Sequence, residues 1–391
     1  MPNIFKNRFS TLDLVKYAII CSIGTGMIYG PVQYSCISGK NSYTVNIALF
    51  IASIFEQLIA QCYAELKCIL PQEGGDFLYI EQFFSGSAGT AYALVMLIVY
   101  TTGANSFTIN LLLDVFKISN NRAIWSLLLS LIIIPITLIP VYARKRVMRL
   151  ISILQFAAVF LILLSLPLAV GFKKENRLIS TTKHVVRAPV TLKTLLLVFA
   201  KMHYTFCGIF SCNSLHKDVT GNLYLPYLIS ASTIYVLYVV VTNSLFHIYR
   251  NETGEIDYEN VLGFLPGKSN TVACMGICFA LYFGGFFANG FTATDNLNYL
   301  IKKYKMRKNT NYAAAVASAG IAFSFSFIEL NRVMAVLSML LILSTTLSIT
   351  GIIIHSRRNP TYRIKVPKFL IYSAIAGCIV TLVANGFALV S

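Results

Sequence analysis

Apolar positions along this chain come in long runs that no charge interrupts. Residues 17–39, 82–113, 219–249, 269–294 and 369–391 hold no Asp, Glu, Lys or Arg over 23, 32, 31, 26 and 23 positions. An α-helix needs about 20 predominantly apolar residues to cross the hydrocarbon core of a bilayer. Bounding such runs by charge, Gly or Pro predicts eleven spans, at roughly 17–38, 44–66, 88–115, 123–142, 150–172, 194–213, 223–249, 271–296, 311–328, 333–355 and 369–390. The connecting loops are short, the longest being 67–87, 173–193 and 250–270, and none reads as a separate soluble domain. The expectation is an all-α polytopic membrane protein.

Composition narrows the class. Of 391 residues, 56% are hydrophobic and only 12% charged, with mean hydropathy +0.69. Soluble domains carry about 25% charged residues. Disorder, a disulfide-rich secreted scaffold and an ordinary cytosolic enzyme are therefore excluded. The net charge of +17 would suggest nucleic-acid binding in a soluble protein. In a membrane protein it first reads as topology, and no nucleic-acid partner is expected. With residues 1–16 as a cytoplasmic tail, nineteen Lys and Arg fall on the inner side and twelve on the outer, with Lys201 inside a span. Half of the outer cations sit in the single loop 173–193, either a solvated tether or an attractor of anionic solutes. The glycosylation pattern Asn251-Glu252-Thr253 lies in a predicted outer loop, which agrees with this orientation. No short apolar region with a cleavage site follows the N-terminus, so no cleaved signal peptide is expected. The nine cysteines lie in or beside apolar runs without zinc-like spacing and read as small buried hydrophobes, with no metal and no cofactor implied.

The first span contains Ile23-Gly24-Thr25-Gly26-Met27-Ile28-Tyr29-Gly30-Pro31. A glycine costs a helix interior about 1 kcal/mol relative to alanine, so this is poor helix. Such a segment can unwind where it lines a cavity, and the half-helix after the break then presents its N-terminus to a carboxylate. A small-residue packing face is the alternative. Residues 62–80 run from Tyr63-Ala64-Glu65-Leu66 through Pro71 to Gly74-Gly75-Asp76, Phe77 and Tyr79.

These motifs resemble the amino acid–polyamine–organocation transporters, and among them the L-type amino acid transporter group. Gly24-Thr25-Gly26 stands where that family has Gly-Ser-Gly, and Phe199-Ala200 where it has Phe-Ala-Tyr. Asn222-Leu223-Tyr224-Leu225-Pro226 and Tyr362-Arg363-Ile364-Lys365-Val366-Pro367 are similar to its seventh-span start and to its segment after the tenth span. The resemblance implies a LeuT-type fold of five plus five spans in inverted repeat, over 17–172 and 194–355, with one extra span at 369–390. It also implies amino acid transport by alternating access, in the plasma membrane, by sodium-independent uniport, exchange or proton-coupled uptake. Ile23, Gly24, Thr25, Gly26 and Met27 would then bind the substrate carboxylate. Phe199, Ala200, Lys201, Met202 and His203 would hold its amino group, with Phe199 as aromatic gate. The family's heavy-chain partner is linked through a cysteine between spans three and four. Phe116–Arg122 has none, so no disulfide-linked heavy chain is expected.

Departures from the family pattern carry the chain's own chemistry. Lys201-Met202-His203-Tyr204 replaces the glycines after the aromatic, putting a cation near mid-span. A central Lys costs about 2.5–3.5 kcal/mol on insertion scales and usually faces a cavity; snorkelling is the bland reading. Lys201 would replace a sodium ion, select an anionic side chain or titrate with transport. Glu56 is the other deep charge, a partner for Lys201 or for a polar neighbour. Thr292, Thr294 and Asp295 form a polar patch, for a coupling cation or for bonding within their own helix. A receptor that binds amino acids without moving them is the second functional class. No catalytic constellation points to an enzyme.

Overall fold

The computed structural model describes residues 10–24, 26–39, 41–72, 75–98, 105–115, 120–139, 141–172, 189–206, 208–212, 219, 221–248, 268–305, 310–328 and 330–390, some of them by backbone alone. Thr25, the side chain of Asp295, residues 173–188, Asn251–Thr253 and most of the loop 116–122 lie outside this description.

The described chain is helical throughout, in sixteen α-helices: α1 Thr11–Ser22, α2 Gly26–Ile37, α3 Ser42–Ile69, α4 Gly75–Phe83, α5 Gly86–Ile98, α6 Asn105–Val115, α7 Arg122–Leu131, α8 Ile133–Thr137, α9 Val141–Phe172, α10 Leu192–Met202, α11 Gly208–Ser211, α12 Tyr224–Ile248, α13 Lys268–Lys303, α14 Thr310–Phe325, α15 Leu330–Arg358 and α16 Lys368–Val390. Polar residues start them. Ser10 and Asp13 form a reciprocal capping box before α1, each side chain bonding the other's N–H at 3.1 Å. Asn41 accepts from Tyr43 and Thr44 before α3, and Thr191 from Thr194 before α10.

Helix occupies each of the eleven predicted stretches. Five segments are long and apolar enough to cross a membrane: Ser42–Ile69, Arg146–Leu163, Tyr224–Ser244, Ala335–Arg358 and Lys368–Phe387. Their outward faces are apolar too. Phe50 and Ile54 of α3 are 54% and 45% exposed while Ala48, Ala52 and Ile59 are fully buried. A helix apolar all round belongs in lipid, and the protein is a multi-pass membrane protein.

Three features differ from the sequence expectation. The helix of the fifth span begins at Val141, not near 150, because hydropathy marks where a helix is wetted by lipid rather than where it starts. Its first turns carry the Arg144–Arg149 cations. The loop 67–87 contains α4, which opens with Gly75 and Asp76. Finally, Cys36 and Cys68 are exposed, so the buried reading of the cysteines holds for Cys62, Cys212 and Cys378 only, among those described.

At the end of the bundle where α3 finishes, the distant motifs meet on one carboxylate. Glu65, fully buried, accepts from the hydroxyls of Tyr224 and Tyr362 and from the backbone N–H groups of Lys365 and Val366, the last three at 2.7, 3.1 and 3.2 Å. Lys67 donates to the Gly221 carbonyl at 2.6 Å. The end of the second span, the start of the seventh and the segment after the tenth are thus pinned together.

Asp76 sits in the first turn of α4, half-buried and accepting from the Ser348 hydroxyl of α15 at 2.9 Å. Burial pushes its carboxyl from 3.8 up to about 7. The folded state therefore keeps a proton that the unfolded chain releases near 3.8. This favours folding by on the order of 4 kcal/mol at low pH, and the gain is lost as pH rises through about 7. Asp76→Asn should flatten that dependence. Melting temperatures of both proteins in detergent between about pH 4 and 8 check it: only the parent should show the Asp76-dependent fall in stability across this window.

Candidate functional site

Two helix breaks lie back to back in the core. The first separates α1 from α2. Ile23 leaves helical geometry (φ −82°, ψ 77°), and Met27 N–H picks up the Gly24 carbonyl at 3.1 Å as α2 begins. A helix end leaves its last carbonyls without partners, and here neighbouring spans supply them. Gln155 of α9 donates to the carbonyls of Ile20 and Ile23, and Tyr238 of α12 to that of Ser22 at 2.9 Å. Pro31 lies inside α2, and its missing N–H frees a further carbonyl one turn back, at Met27.

The second break follows α10. Residues His203–Phe206 tighten into a 3₁₀ turn before α11 starts at Gly208. Tyr34 of α2 and Thr205 of this turn share a hydrogen bond, so the breaks are joined by side chains as well as by proximity. At Gly208 they touch through backbone: a Cβ there would lie 2.4 Å from the Ser22 nitrogen and 2.6 Å from the Cys21 carbonyl carbon. The α13 wall stands at van der Waals distance from the first break and packs tightly on α9. A Cβ on Gly24 would lie 3.8 Å from Gly285 Cα, and one on Gly284 would lie 1.7 Å from Gln155 Nε2. Buried Thr108 of α6 completes the surround, its hydroxyl 3.9 Å from where a Gly285 Cβ would stand. Backbone of the two broken helices therefore converges at one place in the core, surrounded by α6, α9, α12 and α13.

The expected site residues are distributed around it. Ile23 and Met27 are fully buried at the first break. Phe199, Ala200, Lys201 and Met202 stay helical and form the last turn of α10, leaving His203 to enter the break. That turn holds the helix's terminal carbonyls. Phe199 packs on Phe55 of α3, ring centroids 5.6 Å apart. Lys201 is 8% exposed and makes no ion pair or hydrogen bond among the described residues. Glu56 pairs with His203, not with Lys201, and both are buried. Thr294 bonds the Gly290 carbonyl of its own helix at 2.7 Å and that of Thr137 at 2.8 Å, two turns beyond Gly285. No cluster of three or more His, Cys, Asp or Glu that could hold a metal occurs among the described residues.

Gln155, Tyr238, Tyr34, Thr205 and Gly208 are the site residues that sequence reading missed. Gln155 had a signal: an amide inside an otherwise apolar span needs a buried partner.

No protein-family model matches the chain. Over 88 residues it is 33% identical to the large neutral amino acids transporter small subunit 2 of Mus musculus and 32% to that of Rattus norvegicus. That segment is 21% of this chain and spans only 17% and 16% of those relatives' own lengths. A solved manganese transporter of Eremococcus coleocola, in complex with an aromatic bis-isothiourea compound, superposes with a TM-score of 0.57. It is 13% identical and the match covers 97% of this chain and 87% of the transporter. The fold is shared with that transporter over nearly the whole chain, and the sequence similarity to the amino acid transporter subunits is confined to one segment.

Proposed function

We infer that the chain is a secondary transporter of amino acids that works by alternating access. One observation carries this reading: two broken spans meet backbone to backbone, bringing helix-end groups of opposite polarity to one place in the core. The start of α2 offers N–H groups and positive dipole to a carboxylate, and the last turn of α10 offers carbonyls to an ammonium group. Gly24 and Gly26 belong to the first set, the Met27 N–H being taken by the Gly24 carbonyl, and Phe199 to His203 belong to the second. The fold alone is shared with a manganese transporter; amino acids are favoured as cargo by the segment similarity to the mouse and rat proteins. The spans count as five plus five in inverted repeat, 17–172 and 194–355, with 369–390 as an eleventh, the N-terminus cytoplasmic and the plasma membrane as location. Lys201 supplies a fixed cation beside the site in place of a sodium ion.

Counterflow of labelled amino acids into proteoliposomes tests the reading, with a competition panel of the common amino acids. Exchange of at least one of them supports transport; binding without counterflow supports the receptor instead.

The Glu56–His203 pair anchors the second break to α3. Removing one member of a buried pair leaves the other without its partner, at a cost of roughly 3–5 kcal/mol. Glu56→Ala should therefore destabilise the protein on this scale. Glu56→Gln should retain most of the stability, since its amide oxygen still accepts from the imidazole. Thermal unfolding of the two variants separates these outcomes.

A further inference from the structure

We propose that the groove between α1 and α9 is a binding site for an anionic phospholipid. This rests on the protein spanning a bilayer and not on what it transports. The sequence grades both helices in the same direction. Along one face of α1 run Asp13, Lys16 and then Ile20; along the facing side of α9 run Arg149, Ile153 and Phe156. Lys16 is brought level with Arg149, and Gln155 bonds the Ile20 carbonyl, so the helices run parallel and the two gradients add. The resulting groove of about 430 Å³ has a charged rim and an apolar continuation.

That is the polarity profile of a lipid, head then tail. The apolar part faces outward, with Ile153 61% and Phe156 40% exposed, so it opens to acyl chains and not to the space between the breaks. On the rim, neither Lys16 nor Arg149 makes a hydrogen bond or ion pair among the described residues. Asp13 also lines the rim, but its carboxylate accepts the Ser10 N–H in the capping box. Two cations on opposite walls can hold one phosphate between them, and basic pockets between spans favour anionic headgroups. A soluble anion would use the rim and leave the apolar wall empty. The lipid would clamp the first half of the broken span to α9, beside the Gln155 bonds that hold the break.

The test uses the full-length protein in detergent, titrated with phosphatidylglycerol or phosphatidylcholine of equal chain length and read by native mass spectrometry. The parent should retain phosphatidylglycerol over phosphatidylcholine by roughly 30-fold, the preference two cations near a membrane surface supply. The Lys16→Gln/Arg149→Gln protein should lose that preference with an unchanged melting temperature, and Lys16→Arg/Arg149→Lys should keep it. No preference in the parent, or an equal preference in the double Gln variant, overturns the site. Displacement of the lipid by millimolar inorganic phosphate overturns it as well, because the apolar wall would then contribute nothing.

Discussion

Glu65→Ala should lower the melting temperature more than Asp76→Asn or Glu56→Gln. The wild-type carboxylate accepts two phenols and two backbone N–H groups from segments far apart in the chain. Alanine removes every acceptor at once and leaves the four donors facing a small cavity. Each unsatisfied buried donor costs about 1–3 kcal/mol, and partial rewetting from the adjacent loop brings the total to roughly 3–5 kcal/mol, as for breaking a buried pair. Burial and the neighbouring carboxylate already hold the Tyr362 phenol above its ordinary range, so it remains a donor across the accessible pH scale. Glu65→Gln should fall between, since its amide keeps one oxygen and turns the other position into a donor. Thermal unfolding in detergent measures both; a Glu65→Ala protein that melts with its parent would show that the three motifs meet there without holding the fold.

Gly208→Ala should abolish transport. Its Cβ would meet the Ser22 backbone nitrogen at 2.4 Å, and backbone cannot swing aside as a flexible side chain can. The two breaks must then separate, and a displacement of about 1 Å in a preorganised site costs on the order of 100-fold. Counterflow should fall by about that factor, with protein still recovered from the membrane. Gly276→Ala is the control, because nothing lies within 4 Å of the added methyl on α13. Equal counterflow from both variants would mean that the contact at Gly208 does not set the geometry of the site.

The spans were legible because lipid selects for uninterrupted apolar runs, and the first break because Gly24, Gly26 and Pro31 weaken one helix visibly. The second break was less visible. Phe199–Met202 contain no glycine and propagate α10, so the helix gives way at His203, ahead of Gly208 and its contact with α1. Pairings were not legible at all. Glu56 and His203 are 147 positions apart, and nothing in either neighbourhood tells which polar group of another span will face it. Glu65 stood out as part of a motif, yet its donors come from 159 to 301 positions away.

The contact between Gln155 and Gly284 also bears on the first break. The amide that steadies the first break fills the volume a side chain at 284 would need, since a methyl there would lie 1.7 Å from Nε2. A side chain at 284 would push the Gln155 amide aside and break its bonds to the Ile20 and Ile23 carbonyls, and shortening Gln155 alone strands the same two carbonyls. A change at either position therefore reaches the first break by the same route, and the two positions are coupled although they lie on different helices.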